Sequence, residues 1–287
     1  MPKQEQGSKL WPLLTGEAPC GLSSEHMRLI VALFILIASA QAMDWQPVIL
    51  SAPVGTYGVA EWKQDWPGCT FEDGVSEGRV SVVAEQGGIA LRVAYAPGQI
   101  GPDLGGAGWR WKFSKKPKPK TELRYTVMFE EGFDFVKGGK LPGLCGGPKT
   151  ITGGDPCTGF EGWSARLMWR SEGRGQAYVY HPNQPSKYGD EFDFPADFRF
   201  PTGMPVKVHL SVVINTVGQR DGKLRIGITL PQQAERTMVE KLDMEWTKTA
   251  DIGADSILFN TFHGGSDSTW APSRACAARF SEFSFLR

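Results

Sequence analysis

The sequence predicts an all-β protein, a β-jelly-roll sandwich of two antiparallel sheets. Short runs with period-two alternation recur along the chain, each bounded by turn residues. No long stretch carries the 3.6-residue apolar period of a helix. The composition is rich in turns and rings, with 35 glycines, 10 tryptophans and 16 phenylalanines in 287 residues. Many short strands at close spacing are what two packed sheets need. No fixed-period repeat is visible, which argues against a propeller. No linker-like stretch breaks the middle, so one domain is expected over residues 43–287. Lys and Arg total 31 against 31 Asp and Glu. That zero balance excludes a general polyanion binder, so no nucleic-acid partner is expected and any basic site must be local.

The N-terminus reads in two parts. Residues 1–26 are polar and patternless, an upstream extension expected to be disordered. Residues 27–42 pair a basic start at Arg28 with an apolar run from Leu29 to Ala38 and an Ala40-Gln41-Ala42 end. That is the pattern of a secretory signal peptide, too short for a comfortable membrane span. The mature chain would begin near Met43, be secreted, and have no stable membrane insertion. Removal of Cys20 leaves Cys69, Cys145, Cys157 and Cys276, an even number that suggests disulfides in a secreted chain. Three pairings are open. The preferred one joins Cys145 to Cys157, closing the loop after Lys140, and Cys69 to Cys276, tying an early strand to the last.

From Val48 to Pro67 the text is mixed, with Trp62 and Trp66 as packing candidates. Arg79–Glu85 and Ile89–Tyr95 read as strands joined by the hairpin signal Gln86-Gly87-Gly88. Pro97–Gly108 reads as loop and Trp109–Phe113 as strand. Ser114–Lys120 is a basic, proline-broken run, either a solvated loop or a rim attracting an acidic polymer. Glu122–Phe129 is a strong strand, followed by a turn over Glu130–Phe135. Val206–Thr216 and Lys223–Leu230 flank a turn at Asp221-Gly222. Ile257–His263 and Arg279–Leu286 are the last strands, separated by the Gly/Ser loop Gly264–Trp270.

The stretch from Gly139 to His181 stands out. It opens on Lys140 in a Gly-rich bend. Two alternating runs follow, Ser164, Arg166, Met168 and Arg170 on one strand face, and Gln176, Tyr178 and Tyr180 on the other. A turn about Gly173 would set Arg166 opposite Tyr180 and Met168 opposite Tyr178, so that Ser164, Arg166, Tyr178 and Tyr180 share one polar face. A charge inside a strand needs a partner. A lysine, an arginine and tyrosines suit proton abstraction beside a uronate carboxylate. Arginine neutralises the carboxylate, and a lysine or tyrosine moves the protons. Glu191 and Asp193 on one strand face offer a carboxylate pair for glycoside hydrolysis, although the third position of such a run is Pro195. A non-catalytic carbohydrate-binding protein is the remaining class. The histidines lack ligand spacing, and no metal site is read.

Several motifs in order resemble polysaccharide lyase family 14, which includes alginate lyases and glucuronan lyases. They are GKLPGLCGG (139–147), GWSARLMWR (162–170), AYVYHPNQ (177–184), the turn at Asp221-Gly222 and FHGGSDSTWAP (262–272). The resemblance runs from Arg79 to the C-terminus. It implies a jelly roll with a substrate cleft on a concave sheet, and β-elimination on an acidic polysaccharide, glucuronan or alginate, without a cofactor, by a monomer. It makes Lys140, Arg166, Tyr178 and Tyr180 catalytic. Lys140 and Tyr180 would move protons, Arg166 would neutralise the carboxylate, and Ser164 would help Tyr178 position the sugar. Phe262, His263 and Trp270 would line the cleft. Thr150–Asp155 looks like an insertion that bears on substrate choice.

Overall fold

The computed structural model describes residues 44–286. The expected upstream extension and signal peptide lie outside them. In chain order the strands and helices are β1 (Trp45–Pro47), β2 (Gly55–Thr56), α1 (Val59–Asp65), β3 (Val80–Glu85), β4 (Gly88–Tyr95), α2 (Gly101–Gly105), β5 (Gly106–Lys112), β6 (Lys120–Phe129) and β7 (Gly138–Gly146). Then follow β8 (Trp163–Arg170), β9 (Gly175–Tyr180), β10 (Asp190–Asp193), β11 (Val206–Val213), β12 (Gly222–Thr229), β13 (Arg236–Met244), β14 (Ser256–His263) and β15 (Cys276–Leu286).

They form two antiparallel sheets, as the alternation predicts. One has nine strands in the order β13-β12-β11-β6-β15-β4-β3-β2, with β1 also on β15. The other has six, in the order β10-β9-β8-β7-β14-β5. Sequence neighbours repeatedly fall in different sheets, which ties the sandwich together. The core lies between the layers. Val206, Val208, Leu210 and Val212 of β11 and Leu123, Tyr125, Val127 and Phe129 of β6 face Trp163, Ala165, Leu167 and Trp169 of β8. Trp109 stacks on Phe259 at 4.0 Å, and Trp62 and Trp66 of the α1 region close over it edge-on. Large rings in offset and edge contacts add to the area they bury.

The structure corrects several expectations. Lys140 sits in a central strand, not a bend. Pro142 and Gly143 lie where β7 slips register against both neighbours, between Leu141↔Leu167 and Leu144↔Ala165 on the β8 side. One extra residue there puts Leu141 and Leu144 in the same core although they are three apart, and a bulge is where a central strand tolerates proline. The β8–β9 hairpin turns at Glu172, which adopts φ 62, not at Gly173. Arg166 therefore opposes Tyr178 and Ser164 opposes Tyr180. A two-residue slip leaves the face unchanged. β13 carries too many polar residues to stand out as a strand in sequence. The basic run 114–120 lies outside the cleft lining.

The two disulfides are not formed, and all four thiols are free. Cys69 donates to the Arg110 carbonyl at 3.0 Å and Cys157 to the Gly162 carbonyl at 3.3 Å. Cys145 lies buried opposite Ser164 and Ser256, and Cys276 pairs with Tyr95. Strand register holds each thiol against its own neighbours. Burial pushes Cys145 and Cys276 up to about 11, and Cys69 and Cys157 up to about 12, so they are poor nucleophiles for exchange.

Candidate active site

The outer face of the six-stranded sheet carries a cleft of about 720 Å³. Directly opposed residues share a face, so register alone assembles its floor. Glu191, Tyr178 and Arg166 lie in one row across β10, β9 and β8. Gln176, Met168, Lys140 and Phe262 lie in the next, across β9, β8, β7 and β14. Gly143 is what lets the first row continue. A Cβ there would stand 2.0 Å from the Ala165 carbonyl oxygen and 2.7 Å from the Arg166 Cα. With glycine and the bulge, Arg166 of β8 reaches past β7 to Asn260 on β14.

Arg166 is 2 % exposed. Its Nη1 donates to Asn260 Oδ1 at 3.1 Å, and among the described residues its Nε has no partner. No carboxylate among the described residues pairs with it. Burial lowers the pKa of the guanidinium, and only Tyr180, Tyr178 and Cys145 push the other way. A buried charge held by one neutral amide is costly unless an anion arrives.

Lys140 lies beside it. Its Nζ contacts Met168 Sδ at 2.9 Å and stands 3.4 Å above the Tyr178 ring. Burial, then the charges of Arg166 and Arg170, hold its pKa well below the usual lysine range, against a weaker pull from Glu191. Burial and the nearby like charges favour the uncharged amine, the form that can take a proton. Tyr178 is nearly buried. Its hydroxyl accepts from Gly189 N at 3.2 Å and lies 3.4 Å from the Tyr180 hydroxyl. Burial and Tyr180 push its pKa up, so the phenol keeps its proton.

The remaining expected residues divide. Trp270 lines the cleft, with Arg170 at 5.5 Å and Lys137 at 5.9 Å from its ring. Phe262 lines it as well. Tyr180 and Ser164 share the face but lie beneath the 150–155 loop. The Tyr180 hydroxyl accepts from Gly154 N at 2.9 Å, and Ser164 Oγ donates to the Ile151 carbonyl at 2.7 Å. His263 is not in the cleft. It points into the sandwich, donates from Nε2 to the Asp134 carbonyl at 2.7 Å and stacks on Phe133. Its neighbour Phe262 takes the outward position because successive strand residues alternate. Glu191 and Asp193 both accept from Gln176 Nε2, at 3.3 and 2.8 Å, and only Glu191 reaches the cleft. Asn260 was missed. Its signal was a lone amide in phase with Leu258 and Phe262. Tyr188 and Asp73, on loops with no period, complete the wall.

A family model for polysaccharide lyase 14 matches residues 83–283. The chain belongs to the polysaccharide lyase 14 family. It is thus a polysaccharide lyase. An alginate lyase from Aplysia kurodai shares its structure with a TM-score of 0.74 at 28% identity, over 84% of this chain and 99% of that one. The alginate lyase Aly36B matches at 0.72 and 25%, over 85% and 97%. An alginate lyase from a Chlorella virus, at 0.65 and 19% over 83% and 100%, shares the fold. No curated protein sequence matches the chain. Family membership places the cleft residues in a lyase and removes the hydrolase and binding-protein classes from contention.

Proposed function

We propose that this lyase cleaves alginate by β-elimination in the cleft over β7, β8 and β14. The observation that carries the proposal is the buried Arg166, with a free Nε and a neutral partner, beside the uncompensated Lys140. Alginate is the preferred polyuronate because the relatives at 28% and 25% identity are alginate lyases, and a variant of Aly36B is known in complex with an alginate trisaccharide.

Arg166, held in place by Asn260, takes the uronate carboxylate. Neutralising it lowers the cost of carbanion character at the adjacent C5. Lys140 Nζ removes the C5 proton. The electron pair forms the C4–C5 double bond and the C4–O bond breaks. The departing oxygen takes a proton from the tyrosine pair, with Tyr178 at the cleft and Tyr180 behind it at 3.4 Å. Trp270 and Phe262 supply apolar faces for the sugar rings. The product carries an unsaturated uronate at its new non-reducing end.

The enzyme acts outside the cell, a reading supported by the Met27–Ala42 pattern for export. Incubation with alginate and with glucuronan, read by ultraviolet absorbance of the conjugated product, tests the proposal. Absorbance should rise on alginate. A rise on glucuronan alone would move the substrate. Reducing ends without absorbance would overturn the elimination.

A further inference from the structure

We infer that Asp73 and Asn260 form a hydroxyl-reading subsite beside the carboxylate-binding Arg166, and that this pair discriminates among epimeric uronates. The inference rests on the lyase reading above and extends it to a residue outside that mechanism.

Asp73 is fixed by its backbone. Its N–H donates to the Gly108 carbonyl at 2.8 Å, and Gly108 N–H returns a bond to the Asp73 carbonyl at 3.0 Å. That bridge holds the Asp73 side chain against the β5 edge of the cleft, on the far side of Asn260 from Arg166. Gly108 forms the floor between them. A Cβ at 108 would stand 2.7 Å from Asn260 Nδ2, 3.3 Å from Asp73 Oδ2 and 3.0 Å from Pro102 Cβ. Asn260 Nδ2 and Asp73 Oδ2 thus both border the surface that glycine leaves bare, with Pro102 as an apolar wall beside them.

The amide has a defined orientation. A guanidinium only donates, so Arg166 fixes Asn260 Oδ1 toward itself; Nδ2 then gives one hydrogen to the Phe259 carbonyl at 3.2 Å and keeps its second on the Asp73 side. A donor and an acceptor side by side suit a group that both accepts and donates, which is a sugar hydroxyl. A carboxylate only accepts. It would satisfy Asn260 and meet Asp73 as a like charge, the repulsive element that specificity uses.

Among the described residues no side chain pairs with the Asp73 carboxylate. Its acidic neighbours Glu72 and Glu77 turn back onto backbone, Glu72 accepting from Val75 and Ser76, and Glu77 from Gly74. Burial, then Asp103, Glu77 and Glu72, raise its pKa, against a smaller pull from Arg79. Any donor offered by a substrate relieves that strain. Mannuronate, guluronate and glucuronate differ in the configuration of one hydroxyl, of the carboxylate, or of both. With the carboxylate held at Arg166, they present different edges to this point.

The test compares wild type with Asp73→Asn and Asp73→Ala on mannuronate-rich alginate, guluronate-rich alginate and glucuronan. Sites built to bond a substrate hydroxyl discriminate by large factors. The ratio of kcat/KM between the best and next-best polymer should fall about tenfold or more in both variants. The change should lie in KM, with kcat on the best polymer nearly unchanged and melting temperature retained. An equal change on all three polymers, or none, overturns the inference. If wild type yields no unsaturated product on any polymer, the lyase reading has failed instead. Calorimetric binding of saturated oligomers of the three uronates then decides. Discrimination lost in Asp73→Asn upholds the subsite, and identical profiles reject it.

Discussion

Replacing Arg166 with methionine separates catalysis from stability. The side chain is 2 % exposed and has one hydrogen bond, to a neutral amide. Removing an unpaired buried charge relieves desolvation, and swaps of buried ion pairs for apolar residues often stabilise by about 1–4 kcal/mol. Against that, Asn260 Oδ1 is left without its donor, at about 1–3 kcal/mol. The two nearly cancel. At roughly 2–4 °C per kcal/mol for a domain of this size, melting should shift by only a few degrees in either direction. Catalysis should respond far more. Two charge-assisted bonds to the substrate carboxylate are worth about 1.5–3 kcal/mol each. Their loss corresponds to a fall in kcat/KM on the order of 10²–10⁴-fold. Initial rates of ultraviolet absorbance on alginate, beside a thermal melt of the same preparation, measure both quantities. A variant within tenfold of wild type would refute the reasoning. So would a melt lowered far enough for unfolding to explain the lost rate.

Four further outcomes follow. Lys140→Met should abolish elimination. It should also stabilise the fold below the ordinary lysine range, because burial and the nearby arginines disfavour the charged lysine in the folded state alone. That advantage should shrink as pH rises toward the ordinary lysine range near 10.4, and an advantage independent of pH in chemical denaturation would contradict the lowered pKa of this lysine. Tyr178→Phe should lower kcat more than Tyr180→Phe, since only the Tyr178 ring lines the cleft; the reverse order in steady-state rates would place the donor under the 150–155 loop. Glu122 is held down to about 2 by its hydrogen bond to His209, with help from Lys120. Its stabilising contribution, about 3 kcal/mol at most, should be present above pH 4.5 and lost as pH falls toward 2, and Glu122→Gln should lack that acid limb in urea titrations. A reducing agent should leave the melting temperature unchanged, because the four described cysteines are free thiols; a drop would reveal a disulfide.

Sequence periodicity exposed the sandwich because most strands bury one face only. β11 alternates buried and more exposed residues along its whole length, Val206 to Val213. The same rule found the face of β8 and β9 that lines the cleft. It survived the wrong turn at Gly173 because the slip was two residues and not one. It failed on β14, where Leu258 and Phe262 face the cleft while Ile257 and Phe259 face the core. Apolar residues on both sides hide which is which, so His263 was read outward and Asn260 overlooked. Lys140 was legible as a residue but not as part of a strand. Its neighbours Pro142, Gly143, Gly146 and Gly147 have turn composition, and a bulge leaves no periodic trace. Asp73 depends on a single bridge to Gly108, a contact between segments that nothing local in the sequence connects. The cysteine pairing failed for a simpler reason. An even count says that bonds are feasible, and strand register decides whether thiols meet.

The most direct test of the central claim is a time course of ultraviolet absorbance with wild-type protein and alginate, run beside Lys140→Met. The account predicts a steady rise for wild type, with one unsaturated end formed per bond cleaved, and a flat trace for the variant. Cleavage that releases reducing ends without absorbance, or equal rises in both proteins, would contradict it.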